Sequence, residues 1–203
     1  MTSLQKQIFR YMTKFILHGG ETGVPNEHNK AFYQEWVKDF DDNFTPTILL
    51  VYFARQGEEW DKLKNQDEER FSKYTNNRSV NFIVANDDMG IFKEQVKKAD
   101  VIYFRGGEPQ KIIDTIMSIK DEFLSLINGK VYAGSSAGVM FLSNYSRSRS
   151  RNWKKGLNLL PITSIVHYSE KQKETLENFK KEHPDNEDEY ILLPETEFVV
   201  KNY

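Results

Sequence analysis

In the segment Lys130–Met140, KVYAGSSAGVM, an apolar run leads into a turn of small residues. Gly134 to Gly138 match the pattern G-x-S-x-G, with a predicted strand before it and a predicted helix after it. The side chain at the centre of such a tight turn projects from the sheet, and the flanking glycines let strand and helix approach closely. Ser136 is therefore a candidate nucleophile, and the N–H of Ala137 is a candidate oxyanion donor.

Around this turn, apolar runs alternate with amphipathic charged stretches. The runs at 15–17, 47–54, 80–86 and 100–107 predict strands, and the stretches at 29–42, 58–74, 91–98 and 109–127 predict helices. Such alternation indicates right-handed βαβ units, and hence an α/β fold with a mostly parallel, doubly wound sheet flanked by helices. Beyond residue 155 the pattern changes, and we expect the strands there to be added at one edge of the sheet.

The composition limits the classes of chemistry and of partner that are expected for this chain. The 203 residues suffice for one α/β domain, expected at 13–203 after an N-terminal extension at 1–12. The chain contains no cysteine, which excludes disulfides, thiolate catalysis and cysteine-bound zinc. A net charge of −2, and no apolar run near the ~20 residues that span a membrane, argue against nucleic-acid and membrane partners. We expect a cytoplasmic protein.

A second pair of glycines, Gly106 and Gly107, ends the predicted strand VIYF in the segment VIYFRGGEP. Ligands of parallel sheets bind at the carboxyl ends of the strands, so this turn is expected beside Ser136. Either glycine could supply the second oxyanion donor, the alternative being an ordinary strand-to-helix turn. Glu108, which follows them, could accept the α-amino group of a substrate.

A serine nucleophile needs a base, and the base needs an orienting group. His167 ends the apolar strand ITSIV downstream of Ser136, and we expect it at the active edge of the sheet as the base. Glu195, in LLPETEF between two short predicted strands, is the expected orienting acid, with Glu197 as the alternative because residues two apart share a strand face. Of the remaining histidines, His183 is expected to be solvated in a polar loop, and His28 is expected at a helix start. His18 ends the first strand, but it precedes the nucleophile in a tight glycine turn.

A basic run follows the nucleophile: Arg147, Arg149, Arg151, Lys154 and Lys155. One interpretation is a solvated loop. The other is that Arg149 and Arg151 overhang the site and bind a carboxylate, whose geometry a guanidinium matches with two hydrogen bonds.

Together these segments resemble the serine dipeptidase E family, also called aspartyl dipeptidase, which has cyanophycinase as a relative. The similar segments follow the family's order: VIYFRGGEPQKI, VYAGSSAGVM, GLNLLP leading to IVHYS, and YILLPETEFVV. The resemblance spans about residues 13–203. It implies a flavodoxin-like three-layer sandwich similar to class I glutamine amidotransferases. It also implies a triad of Ser136, His167 and Glu195, and hydrolysis of a short peptide without a metal or other cofactor.

The resemblance does not extend to the aspartate preference of those dipeptidases. They carry an acidic residue between nucleophile and histidine, where this chain has the basic SNYSRSRSRNWKK. Leu176 stands where their aspartate-reading arginine is expected, and Glu108 stands where they carry asparagine. We therefore expect a serine peptidase of the dipeptidase or exopeptidase kind, monomeric or homodimeric, with unassigned side-chain specificity.

Two other functions are alternatives to hydrolysis. A non-catalytic binding protein on the same scaffold is the main alternative, because a fold alone does not determine function. A nucleotide-binding protein is disfavoured, since no G-x-G-x-x-G follows the first strand and no Walker lysine pattern occurs.

Overall fold

The computed structural model describes residues 12–149 and 152–203. The expected extension lies outside the described residues except for Met12, and so does Arg151 of the basic run. The helices are α1 (Glu27–Glu35), α2 (Trp60–Tyr74), α3 (Met89–Lys98), α4 (Pro109–Ile116), α5 (Lys120–Leu126), α6 (Ala137–Met140) and α7 (Lys173–Glu182). The strands are β1 (Lys14–His18), β2 (Thr47–Val51), β3 (Asn81–Val84), β4 (Val101–Phe104), β5 (Val131–Ser135), β6 (Tyr145–Ser148), β7 (Lys154–Lys155), β8 (Ile162–Tyr168), β9 (Glu189–Pro194) and β10 (Phe198–Asn202).

The main sheet has six strands in the order β10-β1-β5-β4-β2-β3. Strands β1 to β5 are parallel, and β10 pairs antiparallel with β1 at the edge. The predicted α/β fold with a mostly parallel sheet is confirmed. Because β1, β5 and β4 are neighbours, the glycine-containing turns at their carboxyl ends lie side by side, which is where ligands bind on sheets of this type.

The strands of this sheet are apolar throughout because both faces are covered. Along β2, Ile48 and Leu50 belong to the core formed with α1 and α2, whereas Leu49 and Val51 belong to the core formed with α3 to α6. Successive side chains of a strand point to opposite faces, so one run of apolar residues serves two cores. The result is three layers, with the glycine-containing turns aligned along one rim of the sheet.

The later strands do not extend the edge of the main sheet, and the expectation that they would was wrong for most of them. Strands β6 to β9 form a second sheet in the order β7-β6-β8-β9, and only β10 joins the first. The reason is packing: Ile162, Val166 and Ile191 of this sheet share a core with the residues of α6. The basic run is likewise not a simple loop, because its first part is strand β6.

Two helices are shorter than the sequence predicted. The stretch 109–127 is divided by a 3₁₀ turn at Met117–Ile119, and α1 ends at Glu35 instead of continuing to residue 42. In the part of the chain that the structure describes, no helix combines the length and the apolar character that crossing a membrane requires.

Candidate active site

Ser136 stands on a strained turn between β5 and α6. Its backbone has φ 49° and ψ −100°, in a region that costs a residue with a side chain on the order of 1–3 kcal/mol. Its N–H donates to the carbonyl of His18 at 2.9 Å, which ties the turn to β1. A Cβ at Gly138 would lie 2.5 Å from the carbonyl oxygen of Phe104, so only glycine lets α6 lie this close to β4. The predicted elbow geometry is thus present, and the hydroxyl faces the rim.

His167 is aimed by an irregularity in the second sheet. The register of β8 on β9 shifts between Val166 and Tyr168, and His167 itself has φ 52°. Such a bulge turns a side chain away from the alternation of the strand. The N–H of His167 donates to the carbonyl of Gly19 at 3.1 Å, and the imidazole lies over Gly20. The glycine turn after β1 is therefore the platform on which the ring rests.

Glu195 lies in the turn that carries the chain from the second sheet to the first, between β9 and β10. The next residue, Thr196, has φ 65°, and its N–H donates to the carbonyl of Gly20 at 2.9 Å. The N–H of Gly19 donates in turn to the carbonyl of Glu197 at 2.9 Å. The same two glycines thus position both the imidazole and the carboxylate.

The three side chains form a continuous line. The Oγ of Ser136 is 3.1 Å from Nε2 of His167, and Nδ1 of His167 is 3.2 Å from Oε1 of Glu195. An ionised carboxylate only accepts hydrogen bonds, so we assign the ring proton to Nδ1, and Nε2 then accepts from the hydroxyl. This arrangement can move a proton from the hydroxyl to the ring. Glu195 and the alternative acid Glu197 are both exposed, but Glu197 contacts the turn through its backbone.

Arg149 contacts the candidate acid directly. Its guanidinium bonds Oε1 of Glu195 and lies 3.6 Å from a carboxylate oxygen of Glu21, and its own carbonyl accepts from Nε2 of Gln172 at 3.0 Å. Partial burial raises the pKa of Glu195, but hydrogen bonds from Arg149 and His167 outweigh it and leave the pKa below its ordinary value. The side chain expected to overhang the site is thus bonded to the site's own carboxylate.

Among the residues described, Glu21, His167 and Glu195 also place ligand atoms within 4.8 Å of one another, as a metal site would require. The guanidinium of Arg149 lies between the two carboxylates of this group and supplies the positive charge itself.

His18 has a structural role in this site. It is fully buried, its Nε2 donates to Oδ1 of Asn29 at 2.8 Å, and its Nδ1 accepts from the N–H of Gly20 at 3.0 Å. Burial lowers its pKa to about 4, so the ring is neutral at physiological pH. Asn29 also donates to the carbonyls of Glu21 and Val24. This pair holds the glycine turn in place, a role that the sequence did not reveal.

The other two histidines lie away from the nucleophile. His28 is exposed on the first turn of α1. His183, expected to be solvated, instead packs in tilted contact against Phe179, with ring centroids 4.3 Å apart, and against Tyr145 at 5.1 Å.

The candidate oxyanion donors belong to the turn after β4 and to the start of α6. Gly106 packs against Ser135 and Ser136, and its carbonyl accepts from Nε of Arg55 at 2.7 Å, which fixes the turn after β4. Ala137 is the first residue of α6, where an N–H has no partner within the helix.

Glu108 is the residue immediately before α4. Its N–H donates to the carbonyl of Ala54 at 3.0 Å, and its carboxylate is 3.9 Å from Nζ of Lys154. Glu21 lines the cavity beside Ser136, whereas Glu108 does not.

The hydroxyl and the imidazole open into a cavity of about 360 Å³, near the lower end of the range for ligand pockets. Its walls are the turns after β1, β2, β4 and β5 together with one side chain of α2. Three arginines, Arg55, Arg70 and Arg105, line it. No sequence signal marks these arginines, because they come from three separate elements and form no local motif.

Comparison with known proteins identifies similar chains. Residues 15–202 match the family model described as peptidase family S51. No curated protein matches the chain. A peptidase from an acI-B1 Actinobacterium has a similar structure, with 21% identity, a TM-score of 0.65, and coverage of 95% of this chain and 84% of that one. A protein described provisionally as peptidase E, from Listeria monocytogenes EGD-e, has 17% identity, a TM-score of 0.60, and coverage of 95% and 99%. At these identities the two structures establish the fold.

Proposed function

The chain belongs to peptidase family S51 and is a serine-type peptidase, and we propose that it hydrolyses short peptides through an acyl-enzyme intermediate. The proposed triad is Ser136, His167 and Glu195. The observation that carries this proposal is the line of contacts at 3.1 and 3.2 Å that joins hydroxyl, imidazole and carboxylate. These distances fall at or near the range in which a base accepts a nucleophile's proton and an acid orients the base.

In the first half of the reaction, Nε2 of His167 takes the proton of Ser136 while Oγ attacks the scissile carbonyl carbon. The carbonyl oxygen becomes an oxyanion, which the N–H groups of Ala137 and of Gly106 or Gly107 stabilise. The C–N bond then breaks, and the leaving amine takes the proton from the imidazolium. An ester of Ser136 remains.

In the second half, water gives a proton to Nε2 of His167 and attacks the ester carbonyl. The C–O bond to Ser136 breaks, Oγ recovers the proton, and the acid product leaves. Throughout, the carboxylate of Glu195 accepts a hydrogen bond from Nδ1–H of His167, which keeps the ring in the required tautomer and stabilises its charged form.

The size of the cavity favours short substrates. About 360 Å³ accommodates a few side chains, and loops from four strands close around it. We therefore propose dipeptides or the termini of short peptides, and not folded proteins, as substrates.

A dipeptide library tests the proposal. The wild-type chain should release free amino acids from a subset of the library, and Ser136→Ala should release none. A Ser125→Ala variant, whose serine is exposed on helix α5, is the control and should retain activity. Peptide hydrolysis that survives Ser136→Ala, or no hydrolysis by the wild type of any dipeptide, would overturn the proposal.

A further inference from the structure

The cavity beside Ser136 has a cationic wall. We infer that Arg55, Arg70 and Arg105 form a carboxylate-binding subsite, so that the preferred substrate carries a carboxylate close to the scissile bond. This inference rests on the proposed peptidase function of the same cavity. It assigns specificity to three residues that take no part in the chemistry at Ser136.

Arg105 is held rigidly toward the cavity from beneath. Its Nη1 donates to Oδ2 of Asp67 at 2.9 Å and to the carbonyl of Leu63 at 3.2 Å, and its Nη2 donates to Gln66 at 3.0 Å. Asp67 is fully buried and also accepts from the hydroxyl of Tyr52 at 3.0 Å. Such fixed partners remove most of the entropy that a free arginine would lose on binding a ligand.

Arg70 and Arg55 are less fully bonded. Nη1 of Arg70 lies 3.5 Å from Oδ1 of Asp67, a weak contact, and its Nη2 lies under the turn at Gly23. Arg55 uses its Nε on the carbonyl of Gly106, and within the described residues its two terminal nitrogens have no hydrogen-bond acceptor. A structural role in fixing the loops explains the hydrogen bonds of Arg105. It does not explain the terminal nitrogens of Arg55 and Arg70, which face the cavity.

The balance of charge supports an anionic ligand. Three guanidinium groups line the cavity, whereas only two carboxylates lie near them among the described residues. Asp67 lies behind Arg105, and Glu21 at the rim lies 3.6 Å from Arg149. Half-buried guanidinium groups with free N–H pairs match the two oxygens of a carboxylate. Arg55 also bonds the oxyanion turn, so a carboxylate bound there lies next to the reacting carbonyl.

The three arginines lie on elements other than α7, where the resemblance to the dipeptidases places the aspartate-reading arginine. Leu176, at the position expected for an arginine, is buried in α7 with 5% exposure. The cations of the cavity come instead from the turns after β2 and β4 and from α2. The carboxylate itself can be an acidic side chain or the C-terminus of the peptide, and matched substrates separate these two sources.

The test compares kcat/KM for two substrate pairs, Glu-Leu with Gln-Leu and Ala-Leu with Ala-leucinamide. The wild type should prefer the carboxylate member of at least one pair by about tenfold or more, because a charge-assisted hydrogen bond is lost in the amide. Arg55→Met and Arg70→Met should each remove most of that preference. Lys62→Met, which removes an exposed cation on the same helix as Arg70, should leave it unchanged.

Arg105→Met leaves Asp67 buried without its partner and risks unfolding, so it is paired with Asp67→Asn in a double variant. Equal rates on both pairs by the wild type, or preferences that survive the variants of all three arginines, would overturn the inference. Labelling of Ser136 by a fluorophosphonate, which needs no carboxylate, would show in either case that the proposed function still holds.

If the wild type is neither labelled nor active, the proposed function fails, and the subsite is then judged by binding alone. Glu-Leu or Ala-Leu should raise the melting temperature of the wild type more than its amide counterpart does. Equal stabilisation by both members of both pairs would overturn the subsite as well.

Discussion

Gly20 and His167 are in such close contact that a Cβ added to the glycine would lie 2.2 Å from Cε1 of the imidazole. The backbone of Gly20 has φ 129°, a conformation that residues with side chains rarely adopt. Its carbonyl also holds the turn that carries Glu195. The line of contacts in the candidate site is therefore set by a turn that contributes no reacting group.

Gly20→Ala should disable the site. The added methyl group forces the imidazole away from Ser136, and a displacement of about 1 Å is enough to cost about 100-fold in rate. We expect kcat/KM to fall by at least about that factor. The matched control is Gly57→Ala, where a Cβ meets nothing within 4 Å, and it should be neutral. Full activity in Gly20→Ala would show that the ring position is not critical.

Ser136→Gly should be more stable than Ser136→Ala. Both variants lack the hydroxyl, but alanine keeps the strained φ of 49°, whereas glycine adopts it at little cost. We expect the free energy of unfolding to be higher for the glycine variant by about 1 kcal/mol, as measured by urea denaturation. Equal stability, or a more stable alanine variant, would indicate that the elbow is not strained.

Glu195→Gln should reduce kcat by about 100-fold or more, because an amide can donate to Nδ1 and so favour the wrong ring tautomer. Glu197→Gln, two residues along and exposed, is the matched control and should leave kcat within about twofold of the wild type. The opposite pattern would assign the orienting role to Glu197. Circular dichroism of both variants checks that the turn remains folded.

The elbow, the parallel strands and the position of His167 can be predicted from the sequence, because each of them carries a local sequence signal. The elbow around Ser136 needs small residues, the parallel strands need unbroken apolar runs, and the end of an apolar strand marks His167. The rim on which these residues meet follows from the topology of parallel sheets.

The rest depends on contacts that leave no local signal. Asn29 fixes His18, and Arg149 bonds Glu195. Both contacts depend on how segments that are distant in the sequence pack together. The second sheet was missed for the same reason, since the strand pattern of 162–168 suits an edge strand of the first sheet equally well. What separates the two arrangements is the burial of Ile162 and Val166 against the elbow helix.

Arg149→Met should raise the pKa of Glu195, because it removes the strongest of the contacts that lower it. A carboxylate whose pKa is below its unfolded value contributes stability above that value and loses it as pH falls through the folded pKa. The variant should therefore show a weaker loss of stability on acidification than the wild type.

Carbon NMR titration of the carboxyl group, assigned with Glu195→Gln, measures this shift directly. Lys155→Met, in the neighbouring strand β7, is the control and should leave the titration unchanged. An unchanged pKa in Arg149→Met would mean that the bond to Glu195 does not persist in solution.

The proposed chemistry requires above all that Ser136 be a nucleophile activated by His167. Mass spectrometry after reaction with a fluorophosphonate tests this most directly. We expect one adduct per chain, mapped to the peptide that contains Ser136, absent in Ser136→Ala and formed at least about 100-fold more slowly in His167→Ala. An unmodified wild type, an adduct on another residue, or an equal rate in His167→Ala would contradict it.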